Sequence, residues 1–257
     1  EQVMVRPAAG ELRTRVMELG AALFQSIRMQ LAVERYYGEA VERAANLGTL
    51  DSPVTDVMWL RRQILDIRKM DDPMAQIAAV HSLLFRTDPG PGGFYDQLGD
   101  VSNRPHLVLG PRSRKDADFR QSPQIGFLYP DVLQDKVPIA WKCWAGSLYD
   151  APLTMQYRNM DTKMQYKVRV VYMGRRFKIG LMANDTIQIH PYIGGITPGE
   201  RHQLQLPAPQ EFPIPQEATA NGELKLSWTR EPGLGGSGTG CNVAEVWLIP
   251  ASTEKAS

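Results

Sequence analysis

The side chains best suited to chemistry in this chain are aromatic, and they gather late. Four of the five tryptophans, Trp141, Trp144, Trp228 and Trp247, lie in the second half with Tyr149, Tyr157, Tyr166, Tyr172 and Tyr192. A pyranose ring presents a sheet of polarised C–H bonds that suits an aromatic face, while nearby carboxylates, amides and imidazoles bond its hydroxyls. Trp228 and Trp247 occupy regular strand positions and are expected in the core, as large aromatics usually are. Trp141, Trp144 and Tyr149 stand around Gly146 and Asp150 near a strand entrance, where exposure is easier.

Other chemistries find less support. The histidines His81, His106, His190 and His202 include no pair at the spacing of common metal motifs, and Cys143 and Cys241 form no Cys-x-x-Cys. Zinc is not expected. His190 follows an alternating strand and precedes Pro191-Tyr192, so it reads either as a ligand-facing group at a loop or as a hydrogen-bonded structural histidine. Asp88, Asp96 and Asp100 surround a glycine-rich turn. That arrangement fits a general acid and base, or oxygen ligands for calcium, or the ordinary chemistry of a tight turn. No cofactor is expected, a structural calcium there excepted. The run 233–240 lacks the Gly-Lys-Ser/Thr ending of a phosphate loop, no Gly-x-Ser-x-Gly elbow occurs, and Cys143 has no recognisable histidine context.

The elements that must position these residues follow from length and pattern. With 257 residues, 43% hydrophobic and 22% charged, the chain is long enough for two ordinary domains and too apolar for wholesale disorder. A net charge of +1 gives no field to attract nucleic acid. No run approaches the ~18 apolar residues of a membrane-spanning helix, and no signal-peptide pattern opens the chain. It starts at Glu1 rather than Met, as a processed product or the tail of a longer polypeptide would. Two cysteines are too few for a disulfide scaffold; one bridge or two free thiols both remain open.

From Glu11 the residues Leu12, Val16, Leu19, Leu23 and Ile27 recur on one helical face. A second helix is predicted after Thr55 or Asp56, with Met58, Leu60, Ile64, Leu65 and Ile67, and a third after Asp72-Pro73, with Ile77, Val80, Leu83 and Leu84. Residues 1–86 thus read as an α-helical unit that must dock on something to cover its apolar face. Residues 87–134 read as an irregular linker region, with an ordered turn anchored by Phe94 and Tyr95 and a short strand at His106 to Leu109. Beyond residue 135 the period changes to two: Leu153, Met155 and Tyr157; Tyr166, Val168, Val170 and Tyr172; Ile187 and Ile189; Leu224, Leu226 and Trp228; and Val243 to Ile249. The expected fold class is α+β: an N-terminal α-helical unit, then an antiparallel β-sandwich (jelly roll) over 135–250 and a tail at 251–257.

The segments Tyr149-Asp-Ala-Pro-Leu-Thr-Met-Gln-Tyr157 and Met160-Asp-Thr-Lys-Met-Gln-Tyr-Lys-Val-Arg-Val-Val-Tyr172, with the closing Val243-Ala-Glu-Val-Trp-Leu-Ile249, resemble the galactose-binding-like and malectin-like jelly rolls of bacterial carbohydrate-active proteins. The resemblance covers roughly 135–250 and leaves the helices unmatched. It implies a non-catalytic carbohydrate-associated module, or the C-terminal portion of a larger extracellular or periplasmic polysaccharide-processing protein. Its partner would be an oligosaccharide or polysaccharide, and with it another chain or the upstream part of the same polypeptide. With the aromatic pattern, it makes Trp141, Trp144 and Tyr149 the expected stacking surfaces and Asp150 and His190 the expected hydrogen-bonding groups. The alternatives are a glycoside hydrolase or polysaccharide lyase subunit, with its active site between the two parts or shared with another chain, and a structural interaction subunit.

Overall fold

The computed structural model describes residues 15, 18, 57–100, 103–110, 122–127, 133, 135–148, 151–173, 177–195, 206–232 and 239–251. The first expected helix lies outside this set except at Arg15 and Glu18, both helical. Two further helices match expectation: α1, Val57–Arg68, and α2, Pro73–Leu84. The Asp72 carboxylate accepts from Met74 N at 2.9 Å and Ala75 N at 3.3 Å, satisfying donors that the first turn of a helix leaves open. Pro73 lacks an N–H and costs that turn nothing. Helix α1 turns Trp59, Leu60 and Ile67 inward, whereas α2 buries no side chain fully. Met58, Leu65, Met74, Ile77, Leu84 and Phe85 remain exposed, so the pair makes no core of its own. No described helix is long and apolar enough to cross a membrane.

Among the described residues ten strands follow: β1 Phe94–Gln97, β2 Gln124–Phe127, β3 Cys143–Leu148, β4 Leu153–Tyr157, β5 Gln165–Tyr172, β6 Lys178–Ala183, β7 Ile187–Gly194, β8 Gln210–Ile214, β9 Leu224–Arg230 and β10 Thr239–Ala251. They form two antiparallel sheets. One runs β2-β3-β10-β5-β8, with β1 also on β10; the other runs β4-β9-β6-β7. Strand β10 has β5 along one side and β3, then β1, along the other.

The period-two stretches become β4, β5, β7, β9 and β10. Leu153, Met155 and Tyr157 of β4, Val168 and Val170 of β5, and Leu224, Leu226 and Trp228 of β9 share one fully buried cluster with Val243, Val246 and Leu248 of β10. Both sheets therefore face a single core. Each such side chain contributes about 1.5–3 kcal/mol relative to exposure, and a slip of one residue would turn the whole set outward.

The expected linker differs from the structure, since 87–134 supplies β1 and β2. Both strands are four residues long, and β1 ends on the polar pair Asp96 and Gln97, each with 0% exposure, so neither offers an apolar alternation to read. Leu107 makes only an isolated bridge to Met155 where a short strand was expected. Cys143 and Cys241 are buried and are not joined in a disulfide. Asn242 pairs with Gly146, and Cys241 N donates to Ser147 Oγ, which sets Cys241 four residues along β3 from Cys143. At ~3.3 Å per residue that is far beyond the Cα separation of a disulfide.

Candidate functional site

The outer face of the first sheet is built around an irregularity in β10. Pairing with β5 shifts register between Val243 and Glu245. Val243 and Val246 both face the shared core, while Ala244 and Trp247 join a second cluster with Leu133, Val137, Val171 and Met173 on the opposite side. One extra residue between the two valines sends Ala244 and Glu245 to the same face, the re-aiming that a β-bulge produces.

Strand register then sets a transverse row on that face. Glu211 of β8 pairs with Arg169 of β5, Arg169 with Trp247 of β10, and Trp247 with Tyr95 of β1. Arg169 Nε donates to Glu211 Oε1 at 2.6 Å, and its guanidinium carbon lies 5.8 Å from the Trp247 ring centre. The Tyr95 and Trp247 rings are 5.3 Å apart. Directly opposed residues share a face and touch, so one row delivers ion pair, cation–π and aromatic contacts together.

The helices close over this floor. Arg86, just beyond α2, places its guanidinium carbon 5.8 Å from the Trp59 ring of α1 and 5.9 Å from Trp141, on the short turn Ile139–Trp141. Trp247 Nε1 donates to the Arg86 carbonyl at 3.2 Å, and Arg62 pairs with Asp135 at 3.1 Å. The centre is Glu245, with 0% side-chain exposure, which ion-pairs with Arg86 Nη2. It also accepts from Tyr95 Oη at 2.6 Å and Trp141 Nε1 at 2.5 Å. An isolated buried carboxylate would cost several kcal/mol; three donors, one of them a guanidinium, offset that cost. Burial, and then the adjacent Glu245 charge, raise the Tyr95 pKa well above 10.0, which keeps its hydroxyl a donor.

Between helices and sheet lies an open cleft of about 610 Å³ lined by Trp59, Phe85, Arg86, Trp141, Arg169 and Trp247 among others. Its size falls within the range of small-molecule sites. Asp88 also borders it, with Oδ1 held by Gly90 N at 2.8 Å. Trp59 and Trp247 are buried in the cleft wall, Trp141 is half-buried, and the Arg86 and Arg169 guanidiniums lie over the indole faces, so the cleft offers guanidinium donors and the part of the Trp141 ring that Arg86 leaves open. Glu245 does not line the cleft; its side chain has 0% exposure and accepts from three donors.

The structure separates the residues singled out from sequence. Trp141 lines the cleft. Trp144 is half-buried against the same cluster, its indole lying over Gly126, where a Cβ would come within 2.5 Å of Trp144 Cε2. Tyr149 and Asp150 lie outside the described residues. His190 stands on the other sheet, 3% exposed. Its Nδ1 donates to the Pro191 carbonyl at 2.8 Å, and its Nε2 accepts from Tyr172 Oη at 2.6 Å, which accepts from Trp228 Nε1 at 2.9 Å. Burial lowers the His190 pKa below 6.5, favouring a neutral ring. Asp88 and Asp96 are engaged separately: Asp88 caps its turn, and Asp96 bonds His106 Nδ1 at 2.9 Å and Tyr157 Oη at 3.3 Å. No three His, Cys, Asp or Glu side chains converge as a metal-ligand set among the described residues. Sequence reasoning missed Trp59, Arg86, Arg169 and Glu245. The signal for the last was present, a lone carboxylate inside the apolar strand Val243-Ala-Glu-Val-Trp247.

No protein-family model matches the chain, and no curated protein matches it by sequence. Solved structures to which part of the chain is similar include the ANXUR1 extracellular domain from Arabidopsis thaliana, at 10% identity and TM-score 0.42, over 61% of this chain and 47% of that one. They also include the ANXUR2 extracellular domain of the same plant, at 11% identity and TM-score 0.39, over 62% and 49%. A family GH115 4-O-methyl-α-glucuronidase, BtGH115A, with specificity for decorated arabinogalactans, is similar over 97% of this chain and 34% of its own, at 12% identity and TM-score 0.34. The chain thus spans less than half the length of each of these three. At such scores they lend no weight to a function, and the site stands on its own geometry.

Proposed function

We propose that this chain is a carbohydrate-associated, non-catalytic module, a galactose-binding-like β-sandwich with a docked helical unit, and that its saccharide site is the cleft between the two. One observation carries the reading: the half-buried Trp141 indole lines an open cleft together with the Arg86 and Arg169 guanidiniums, with Trp59 and Trp247 set more deeply in its wall. Flat indoles suit the C–H face of a sugar ring, and guanidiniums suit its hydroxyls. A hydrolase would need two carboxylates flanking the bond to be cut. Here Glu245 is enclosed by three donors and Asp88 is tied to its own turn, which favours binding over hydrolysis by this chain alone. A module of this kind would serve a larger polysaccharide-processing protein outside the cytoplasm.

A second reading, an assembly subunit, is favoured by the exposed Met58, Leu65, Met74, Ile77 and Leu84 of the helices. It describes another face and is compatible with the first.

Calorimetric titration of the chain with soluble xylan, glucan and galactan oligosaccharides tests the proposal. Binding in roughly the millimolar to micromolar range is expected, since a few contacts must offset lost ligand freedom. Trp141→Ala should weaken it about tenfold, which corresponds to one lost stacking contact. Absence of binding across the panel, or an unchanged affinity in Trp141→Ala, would refute it.

A further inference from the structure

Resting on the reading of the cleft as a saccharide site, we infer that Glu245 is the positioning residue of that site, holding Trp141 and Arg86 in the binding geometry without touching ligand. Three segments distant in sequence converge on this one carboxylate. Trp141 comes from a short turn with no side-chain cap, Arg86 from the end of the helical pair, and Tyr95 from β1. Each would otherwise rotate about its side-chain torsions. Trp141 gives its single N–H to Oε2, and that bond orients the indole plane. Arg86 donates to the same oxygen from the opposite unit, so one atom fixes two walls relative to each other. The β10 bulge is what aims Glu245 at this point. The Arg86–Glu245 pair therefore couples the cleft to the docking of the helices, alongside the Trp247 Nε1 bond to the Arg86 carbonyl and the Arg62–Asp135 pair.

Variants separate charge from geometry. Glu245→Gln keeps an oxygen for Arg86 and Trp141, and its amide N–H can donate to the Tyr95 hydroxyl, which reverses its role. Glu245→Asp keeps the charge but retracts it by one methylene. Glu245→Ala releases all three groups. The experiment titrates the full chain and each variant with xylohexaose, cellohexaose and galactohexaose, well below the melting transition, and follows the Trp141 indole N–H resonance, assigned with Trp141→Phe. Wild type and Glu245→Gln should bind within about threefold of each other, with the resonance in place. Glu245→Asp and Glu245→Ala should lose about tenfold or more with the resonance displaced, as expected when side chains must be ordered again on binding.

A folded Glu245→Ala or Glu245→Asp that binds like wild type overturns the inference, as does equal weakening in Glu245→Gln and Glu245→Asp. Were Glu245→Ala to fail to fold, the Gln and Asp pair carries the comparison. Should wild type bind none of the three sugars, the saccharide reading falls; the resonance then decides positioning alone, supporting it if displaced in Glu245→Asp and overturning it if unmoved.

Discussion

Tyr172→Phe isolates the buried chain that runs from Trp228 through Tyr172 to His190. The ring volume is conserved, so no cavity opens; only the hydroxyl is lost. That hydroxyl accepts from Trp228 Nε1 at 2.9 Å and donates to His190 Nε2 at 2.6 Å. Trp228 is 0% exposed and His190 3%, so water cannot readily replace it. Two buried polar atoms left unpaired cost about 1–3 kcal/mol each, and part is regained because the phenol no longer has to be desolvated. A net loss of about 2–4 kcal/mol follows, which for a chain of this size lowers Tm by roughly 5–15 °C. Urea unfolding followed by circular dichroism measures it, with Trp228→Phe and the double variant completing a cycle. The double variant should be less destabilised than the sum of the singles by more than ~0.5 kcal/mol, since contacting partners couple. A loss under ~0.5 kcal/mol in Tyr172→Phe, or an additive cycle, would refute the network. Saccharide binding should be untouched, because the Tyr172 side chain packs against the core between the sheets, whereas the cleft lies on the outer face of the first sheet.

Further outcomes follow from the same geometry. Burial lowers the His190 pKa from 6.5, so below that pH the unfolded chain binds the proton more readily than the native one. The contribution of His190 to stability should be intact above about pH 6.5 and decline beneath it, with a limiting slope of ~1.4 kcal/mol per pH unit; His190→Asn should flatten the curve, and an identical slope in that variant would count against it. Gly126→Ala brings a methyl within 2.5 Å of the Trp144 indole, so it should cost about 1–3 kcal/mol and shift tryptophan emission. Unchanged emission and stability would show that Trp144 moves freely.

What sequence disclosed and what it hid divide along physical lines. Long alternations such as Tyr166 to Tyr172 and Leu224 to Trp228 show as strands because one face is buried, and a buried face writes period two into the residues. Asp72-Pro73 announced α2 because capping is local chemistry. Strands β1 and β2 carried no such mark, since four residues are too few for a period. The cleft was hidden for a different reason. Arg86 and Arg169 look like ordinary surface charge until register places Arg169 beside Trp247 and the helix end places Arg86 between two indoles. Glu245 required knowledge of the bulge, because strict alternation would put it on the face of Val243. Trp141 was legible as a candidate from its company of aromatics near a strand entrance, whereas His190 gave no sign that its Nε2 belonged to Tyr172.

The place of β10 in its sheet has a consequence for how the chain is made. Every strand of the second sheet, β4, β6, β7 and β9, leaves the ribosome before β10, yet the first sheet has no middle until β10 arrives to join β3, β1 and β5. Asp96 waits for Val246, which follows only after every strand from β2 to β9 has been made. Pairings so distant in sequence close slowly, and until they do the apolar face of β4 and β9, from Leu153 to Trp228, lacks the middle strand of its opposing layer. Nascent chains interrupted before residue 239 would therefore carry a half-built sheet with an uncovered greasy surface, the form most prone to self-association.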